Sequence, residues 1–281
     1  MSIQRVIVIV GASTGIGAGL ARYFSNEAQS RLSRYGLVLV ARREVELNQM
    51  AESVRNDYCS TLAISCDVTK RDEVEKILQQ TNSTYSFISC WINNVGQGIS
   101  RSVLQLTDHD IDTMVSVNIK SALYGMQVVI PYFRQQGYGH LFNISSVLGR
   151  IPYVGYRSMY SASKAALNSL TTNLRMELQT DPRCEKIFVT TVLPGLVETN
   201  FSLNIIGDAP PKSFADYKVP FVGPLPRTAQ TVDDVCLCIG QALDSADPPR
   251  EIYTNPEHIP FVKEFFDDVG KLELKLKPPT S

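Results

Sequence analysis

Tyr160 and Lys164 stand four residues apart in a stretch where Leu167, Leu170 and Leu174 recur at helical spacing. Residues at i and i+4 share one face of a helix, so a phenol and an ammonium there can serve a single bound molecule. A free phenol titrates near 10, too high for efficient proton transfer around neutrality. A neighbouring ammonium stabilises the phenolate and is expected to lower that value toward the working range. The pair therefore predicts proton donation to, or removal from, an oxygen of a small molecule. Tyr-x-x-x-Lys recurs by chance in many chains, so the elements around it must carry the weight.

Those elements alternate. Short apolar, β-branched runs are separated by longer amphipathic segments, the pattern of repeated βαβ units around a parallel sheet. Strands are expected at Arg5–Val10, Gly36–Ala41, Thr61–Asp67, Ser86–Asn93, Gly139–Ser145, Ile187–Pro194 and near Glu251–Thr254. The unbroken Val6–Val10 and Leu37–Val40 runs belong in the middle of the sheet, buried on both faces. The expectation is an α/β, doubly wound parallel sheet of about seven strands in a single domain spanning 1–281. The proline- and glycine-rich segment Phe201–Gln230 is expected to cover the substrate as a loop, and 255–281 to form a C-terminal extension.

The first strand runs into a glycine turn, with Gly11, Ser13, Thr14, Gly15, Ile16 and Gly17 ahead of a helix expected over Ala18–Ser25. Gly11 permits the turn, Gly15 admits a pyrophosphate to the backbone and Gly17 allows close helix–sheet packing, while the helix N-terminus offers free N–H groups. At the end of the second strand, where a carboxylate would bind the ribose hydroxyl of NAD, stand Arg42 and Arg43. Two guanidiniums suit a 2′-phosphate, so NADP(H) is the expected cofactor.

The glycine order G-x-x-x-G-x-G resembles that of the short-chain dehydrogenase/reductase family. The resemblance extends along nearly the whole chain: Asp67-Val68, Asn93-Asn94-Val95-Gly96, Asn118, Asn143-Ile144-Ser145-Ser146, Tyr160 with Lys164, and Pro194-Gly195-Leu196-Val197-Glu198-Thr199 follow in the family's order. It implies a Rossmann fold and interconversion of a carbonyl and an alcohol. In that scheme Tyr160 is the general acid/base, Ser146 orients the carbonyl, Lys164 also holds the nicotinamide ribose and Asn118 joins a proton relay. Asp67 and Val68 would meet the adenine, Asn94 and Gly96 would line the nucleotide path, and Pro194, Gly195, Val197 and Thr199 would border the nicotinamide. Ser145 remains an alternative to Ser146, because alternate residues at a strand end point in opposite directions and the interval to Tyr160 is one residue longer than the pattern suggests. Asp67 could also cap the following helix. A homodimer or homotetramer is implied as well.

The 281 residues carry a formal net charge of −1, which gives no basis for polyanion binding. The apolar run at the start is too short for a leader or a membrane span, and a cytoplasmic protein without a transmembrane segment is expected. Six scattered cysteines and three isolated histidines suggest neither a disulfide framework nor a metal site. The expected substrate is a fairly apolar small-molecule carbonyl or alcohol, walled by Gln97, Ile151, Tyr153, Tyr156 and the loop. A sensor that binds NADP without turnover, or an NAD-linked alcohol dehydrogenase, are the alternatives; sugar-nucleotide epimerases share Tyr-x-x-x-Lys but differ in glycine spacing.

Overall fold

The computed structural model describes residues 2–207 and 229–270. Seven parallel strands, β1 (Arg5–Val10), β2 (Tyr35–Ala41), β3 (Cys59–Ser65), β4 (Cys90–Asn93), β6 (Gly139–Ile144), β7 (Ile187–Leu193) and β9 (Glu251–Tyr253), form one sheet in the order β3-β2-β1-β4-β6-β7-β9. The short β5 (Ile99–Ser100) and β8 (Ile206–Gly207) pair separately. The fold is the doubly wound α/β Rossmann type that the alternation predicts.

The β1 run explains why both faces are covered. Ile7 and Ile9 face one apolar cluster, with Leu20 and Phe24 of α1 (Gly15–Ser30) and Val235 and Ile239 of α7 (Val232–Asp244). Val6, Val8 and Val10 face the other, with α3 (Arg71–Tyr85), α5 (Ser121–Gln136) and α6 (Ser158–Gln179) supplying Ile77, Phe133 and Leu167. A strand with no polar side has no solvent face to offer.

Strand order reverses between β1 and β4, and register aligns Val10 with Asn93 and Asn93 with Asn143. The segments leaving β1, β4 and β6 therefore emerge together at one edge. Crevices at such a switch point are where ligands bind in this architecture. Beneath it, Trp91 Nε1 donates to Asn93 Oδ1 at 2.8 Å, Asn93 Nδ2 donates to Asn143 Oδ1 at 2.9 Å, and Asn143 Nδ2 donates to Thr171 Oγ1 at 3.0 Å. This buried polar chain ties β4 and β6 to α6.

Several boundaries differ from the sequence expectation. The first helix begins at Gly15 and continues to Ser30, absorbing most of the long interval before β2. The fourth strand starts only at Cys90, because Ser86 closes α3 in a left-handed conformation (φ 66°) and Ile88 N–H donates to the Gln136 side chain rather than to a strand. Asp67 is not a helix cap: the cap position of α3 is Lys70, and Asp67 Oδ1 instead accepts from Thr69 N and Oγ1 at 3.1 and 2.8 Å. In the expected 255–281 extension, α8 (His258–Asp267) packs Val262 against Val147 and Ile151, while 271–281 lie outside the described residues. Of the expected covering loop, 208–228 also lie outside them.

Candidate active site

A cavity of about 1300 Å³ runs across the switch point. At one end it is lined by Gly11, Ser13, Thr14, Gly15, Ile16, Arg42, Arg43, Asp67, Val68, Asn94 and Gly96. At the other stand Ser145, Ser146, Tyr160, Lys164, Pro194, Gly195, Val197 and Thr199. Two of the residues singled out in the sequence, Gly17 and Asn118, lie behind the wall.

The glycine turn is a main-chain cradle. Gly11 and Gly15 have φ of 90° and 56°, in the left-handed region where a side chain is strained. A Cβ on Gly17 would lie 2.0 Å from the Gly11 carbonyl oxygen and 2.7 Å from Asn94 Nδ2. Gly17 therefore lets α1 approach the turn, and Asn94 fixes it from the β4 side by donating to Gly11 O at 3.0 Å. Gly15 and Thr14 begin α1, so unpaired N–H groups and the positive end of the helix dipole face the cavity. These features fit a dinucleotide pyrophosphate. Arg42 and Arg43 are exposed at the rim, and the one carboxylate paired with Arg43, Glu46 at 3.6 Å, is also exposed, an arrangement that holds the guanidinium weakly.

The helix expected across Tyr160 runs over Ser158–Gln179, and Lys164 Nζ lies 5.9 Å from the centre of the Tyr160 ring. Lys164 is buried and donates to the Ile144 carbonyl at 2.8 Å, which leaves two N–H groups for other acceptors. Burial pushes its ammonium down to about 8. The Tyr160 phenol is raised above its ordinary value, chiefly by burial; a hydrogen bond with Ser146 and the positive charge of Arg157 oppose that shift. Ser146 and Arg157 thus favour the phenolate alongside the Lys164 ammonium to which the spacing points.

The structure distinguishes the two serines. Ser145 Oγ is turned away, donating to the Lys164 carbonyl at 3.3 Å, while Ser146 Oγ meets the Tyr160 phenol and accepts from Leu148 N–H at 3.2 Å. Asn118 sits fully buried in a π-helical stretch, Val115–Lys120, between α4 (Asp108–Met114) and α5. Its amide clamps the Gln97 main chain at both ends, accepting from N–H at 2.8 Å and donating to C=O at 2.9 Å, and also donates to Ser163 Oγ at 2.9 Å. Its side chain is therefore committed to positioning. Gly96, next to that clamp, leaves room for the lysine: a Cβ there would lie 3.3 Å from Lys164 Nζ.

Gln97, Tyr153 and Tyr156 line the cavity as expected, but Ile151 does not; it is buried against Val147 and Val262. Phe201 opens the loop expected to cover the substrate, and two further wall residues, Arg157 and His258, escaped the sequence reading. Phe201 meets the Tyr160 ring edge-on at 5.7 Å, His258 presses on Gly195, where a Cβ would lie 2.2 Å from its Cε1, and Arg157 lies beside Tyr160. The N-terminal position of α6 and the aromatic run Tyr153-Val154-Gly155-Tyr156 were the available signals for Arg157; His258 comes from another element and has none. Beyond β7, Gln230 holds the Leu196–Glu198 main chain, accepting from Glu198 N–H at 2.9 Å and donating to Leu196 O at 2.8 Å. Thr199 Oγ1 accepts from Phe201 N–H at 3.2 Å, and its methyl and Cβ lie near Gly15, joining the two ends of the cavity.

Among the described residues no group of three or more potential metal ligands occurs, and no helix is long and apolar enough to cross a membrane.

The family model for short chain dehydrogenases matches residues 5–208. An uncharacterized oxidoreductase of Staphylococcus epidermidis is 32% identical over 196 residues, covering 70% of this chain and 79% of that protein. A counterpart in Staphylococcus saprophyticus is 32% identical over 201 residues, covering 71% and 81%. Among solved structures, a short-chain dehydrogenase from Sphingobium yanoikuyae in complex with NADPH superposes with a TM-score of 0.72 at 27% identity, covering 99% of this chain and 98% of that one. A short-chain dehydrogenase/reductase from Burkholderia phymatum in complex with NAD superposes with a TM-score of 0.79 at 22% identity, covering 99% and 97%.

Proposed function

Because the chain belongs to the short-chain dehydrogenase/reductase family of oxidoreductases, we propose that it is an NADP-dependent enzyme interconverting a carbonyl and an alcohol, with Tyr160 as its proton-transfer residue. The observation that carries this reading is the convergence of Tyr160, Ser146 and Lys164 at the end of a cavity whose other end is a glycine cradle flanked by two exposed arginines.

The N–H groups at the start of α1 receive the pyrophosphate, and Arg42 with Arg43 receives the 2′-phosphate. Asp67 and Val68 border the adenine, and Asn94 and Gly96 line the path between. Lys164, fixed through Ile144, directs its remaining N–H groups to ribose hydroxyls. Pro194, Gly195, Val197 and Thr199 border the carboxamide side. Bound NADPH supplies the hydride for the carbonyl carbon.

The protein's own task is the oxygen. Ser146 donates a hydrogen bond to it and fixes its position, and Tyr160 delivers a proton as negative charge develops. A raised phenol keeps its proton through neutral pH, which suits it as the acid in reduction; positive charge nearby steadies the phenolate that remains. Positioned proton transfer of this kind contributes roughly 10²- to 10⁴-fold. Asn118 holds Gly96 and Gln97 in place, so that any part in a proton relay falls to its main chain. In alcohol oxidation the roles reverse.

Parallel fluorescence titrations with NADPH and NADH, followed by addition of ketones and aldehydes, test the proposal. Tighter NADPH binding with carbonyl-dependent oxidation supports it. Binding without turnover across a broad panel would favour a nucleotide sensor, and failure to bind either nucleotide would overturn the reading.

A further inference from the structure

Arg157 occupies the position directly before α6, three residues ahead of Tyr160. Two segments hold its main chain: its N–H donates to Val154 O at 2.8 Å, and it forms a parallel bridge with Arg101. Arg157 lines the cavity with Tyr160, Gln97, Tyr153, Tyr156 and Phe201. One nitrogen, Nη1, donates to Ile99 O at 3.2 Å, and the guanidinium carbon lies 5.3 Å from the centre of the Tyr156 ring. The other N–H groups meet no acceptor among the described residues.

Nearby arginines behave differently. Arg101 Nε lies 3.1 Å from the buried Asp110 carboxylate, and Arg150 pairs with Glu251. Arg157 has no such partner among the described residues, although it is half-buried beside aromatic rings. Among the described residues, the acidic ones on the cavity wall are Asp67, engaged with Thr69 at the far end, and Glu198, and neither pairs with Arg157. Gly98 makes room for the guanidinium, since a Cβ there would lie 3.2 Å from Nη1. A charge partly withdrawn from water and lacking a counter-ion is costly unless something in the site meets it. Pinning Ile99 to the start of α6 needs one N–H. The planar fork that is left over matches a carboxylate, which accepts two parallel hydrogen bonds from it.

We propose that Arg157 receives a carboxylate of the substrate, so that the protein acts on carbonyl compounds bearing an acid group in preference to their neutral esters. The proposal rests on the oxidoreductase reading of the same site and narrows its substrate class: the aromatic walls accept an apolar body, Tyr160 and Ser146 take the carbonyl oxygen, and Arg157 anchors the acid.

Levulinate and para-acetylbenzoate, each beside its methyl ester, provide the test. Wild type should favour the acids in kcat/KM. Arg157→Met should lower the acid-to-ester ratio by roughly 10- to 100-fold, the scale of one lost charge-assisted pair, mainly through KM, and Arg157→Lys should recover part of it. The ratio cancels any common effect of Arg157 on the acidity of Tyr160. An acid-to-ester ratio that Arg157→Met leaves within about twofold, or a wild-type preference for the esters or for a keto phosphate, would overturn the proposal. Calorimetric binding of the same pairs to NADP+-saturated protein, in which no hydride is available for transfer, separates the two readings. Acid-selective binding that depends on Arg157 supports the anion site even where turnover fails, whereas turnover with equal binding and equal rates defeats the anion site alone.

Discussion

At the glycine-turn end of the cavity the cradle is main chain: Gly11 and Gly15 take left-handed conformations, Gly17 removes a Cβ that would collide with the Gly11 carbonyl, and Asn94 bonds the turn from behind. At the substrate end the wall is side chains from separate segments, with Gln97 after β4, Tyr153 to Arg157 before α6, Phe201 beyond β7 and His258 from α8. The first end tolerates little because backbone cannot move aside. The second is set by which side chains happen to meet, and can change its ligand without disturbing the sheet. The same scaffold thereby keeps one cofactor site while leaving substrate choice open to variation.

The largest effect is expected where the cradle is tightest. Gly17→Val should weaken NADPH binding by two orders of magnitude or more and lower the melting temperature, because its Cβ would meet backbone at 2.0 Å. Gly155→Ala, at a position with nothing among the described residues within 4 Å of the added Cβ, should shift stability by less than about 0.5 kcal/mol. Similar losses of nucleotide affinity in both variants would break the contrast between the two ends.

A smaller effect belongs to the rim. Replacing Arg42 and Arg43 together by alanine should raise the Kd for NADPH at least tenfold, the scale of lost charge-assisted contacts to a phosphate, while changing that for NADH less than threefold. Equal losses for both nucleotides would mean that the arginines do not read the 2′-phosphate. The smallest expected effect is a pH dependence at the junction of the two ends. Lys164 carries its charge below about 8 and loses it as pH rises through that value, since burial disfavours the ammonium. The kcat/KM for carbonyl reduction should accordingly decline above about pH 8, while Tyr160, raised above its ordinary value, still holds its proton. A profile flat to pH 10 would remove Lys164 from the account.

The division between the two ends also governs what the sequence discloses. The cradle was legible because its requirements are local: glycines at fixed spacing after an apolar strand can be read from sterics alone, and Tyr160 and Lys164 from helical periodicity. The sheet was legible because Val6–Val10 has no polar face to expose. Errors arose where direction or distance decides. Ile151 and Tyr153 are close in sequence, yet one enters the core and the other the cavity. Ser145 and Ser146 could be separated only by seeing that one bonds the Lys164 carbonyl and the other the phenol. The alternative reading of Asp67 as a cap fails because α3 starts at Arg71, beyond a turn that Asp67 itself closes. His258 reaches Gly195 from a helix that follows the last strand, a juxtaposition that no local pattern records.

Tyr160 is the proposed source of the proton. With an NADPH-linked carbonyl substrate in hand, Tyr160→Phe should reduce kcat by 10²-fold or more while the Kd for NADPH stays within about threefold, since the ring and its contact with Phe201 remain and only the proton-bearing oxygen is lost. Turnover near the wild-type rate with nucleotide binding intact would contradict the assignment of proton transfer to Tyr160.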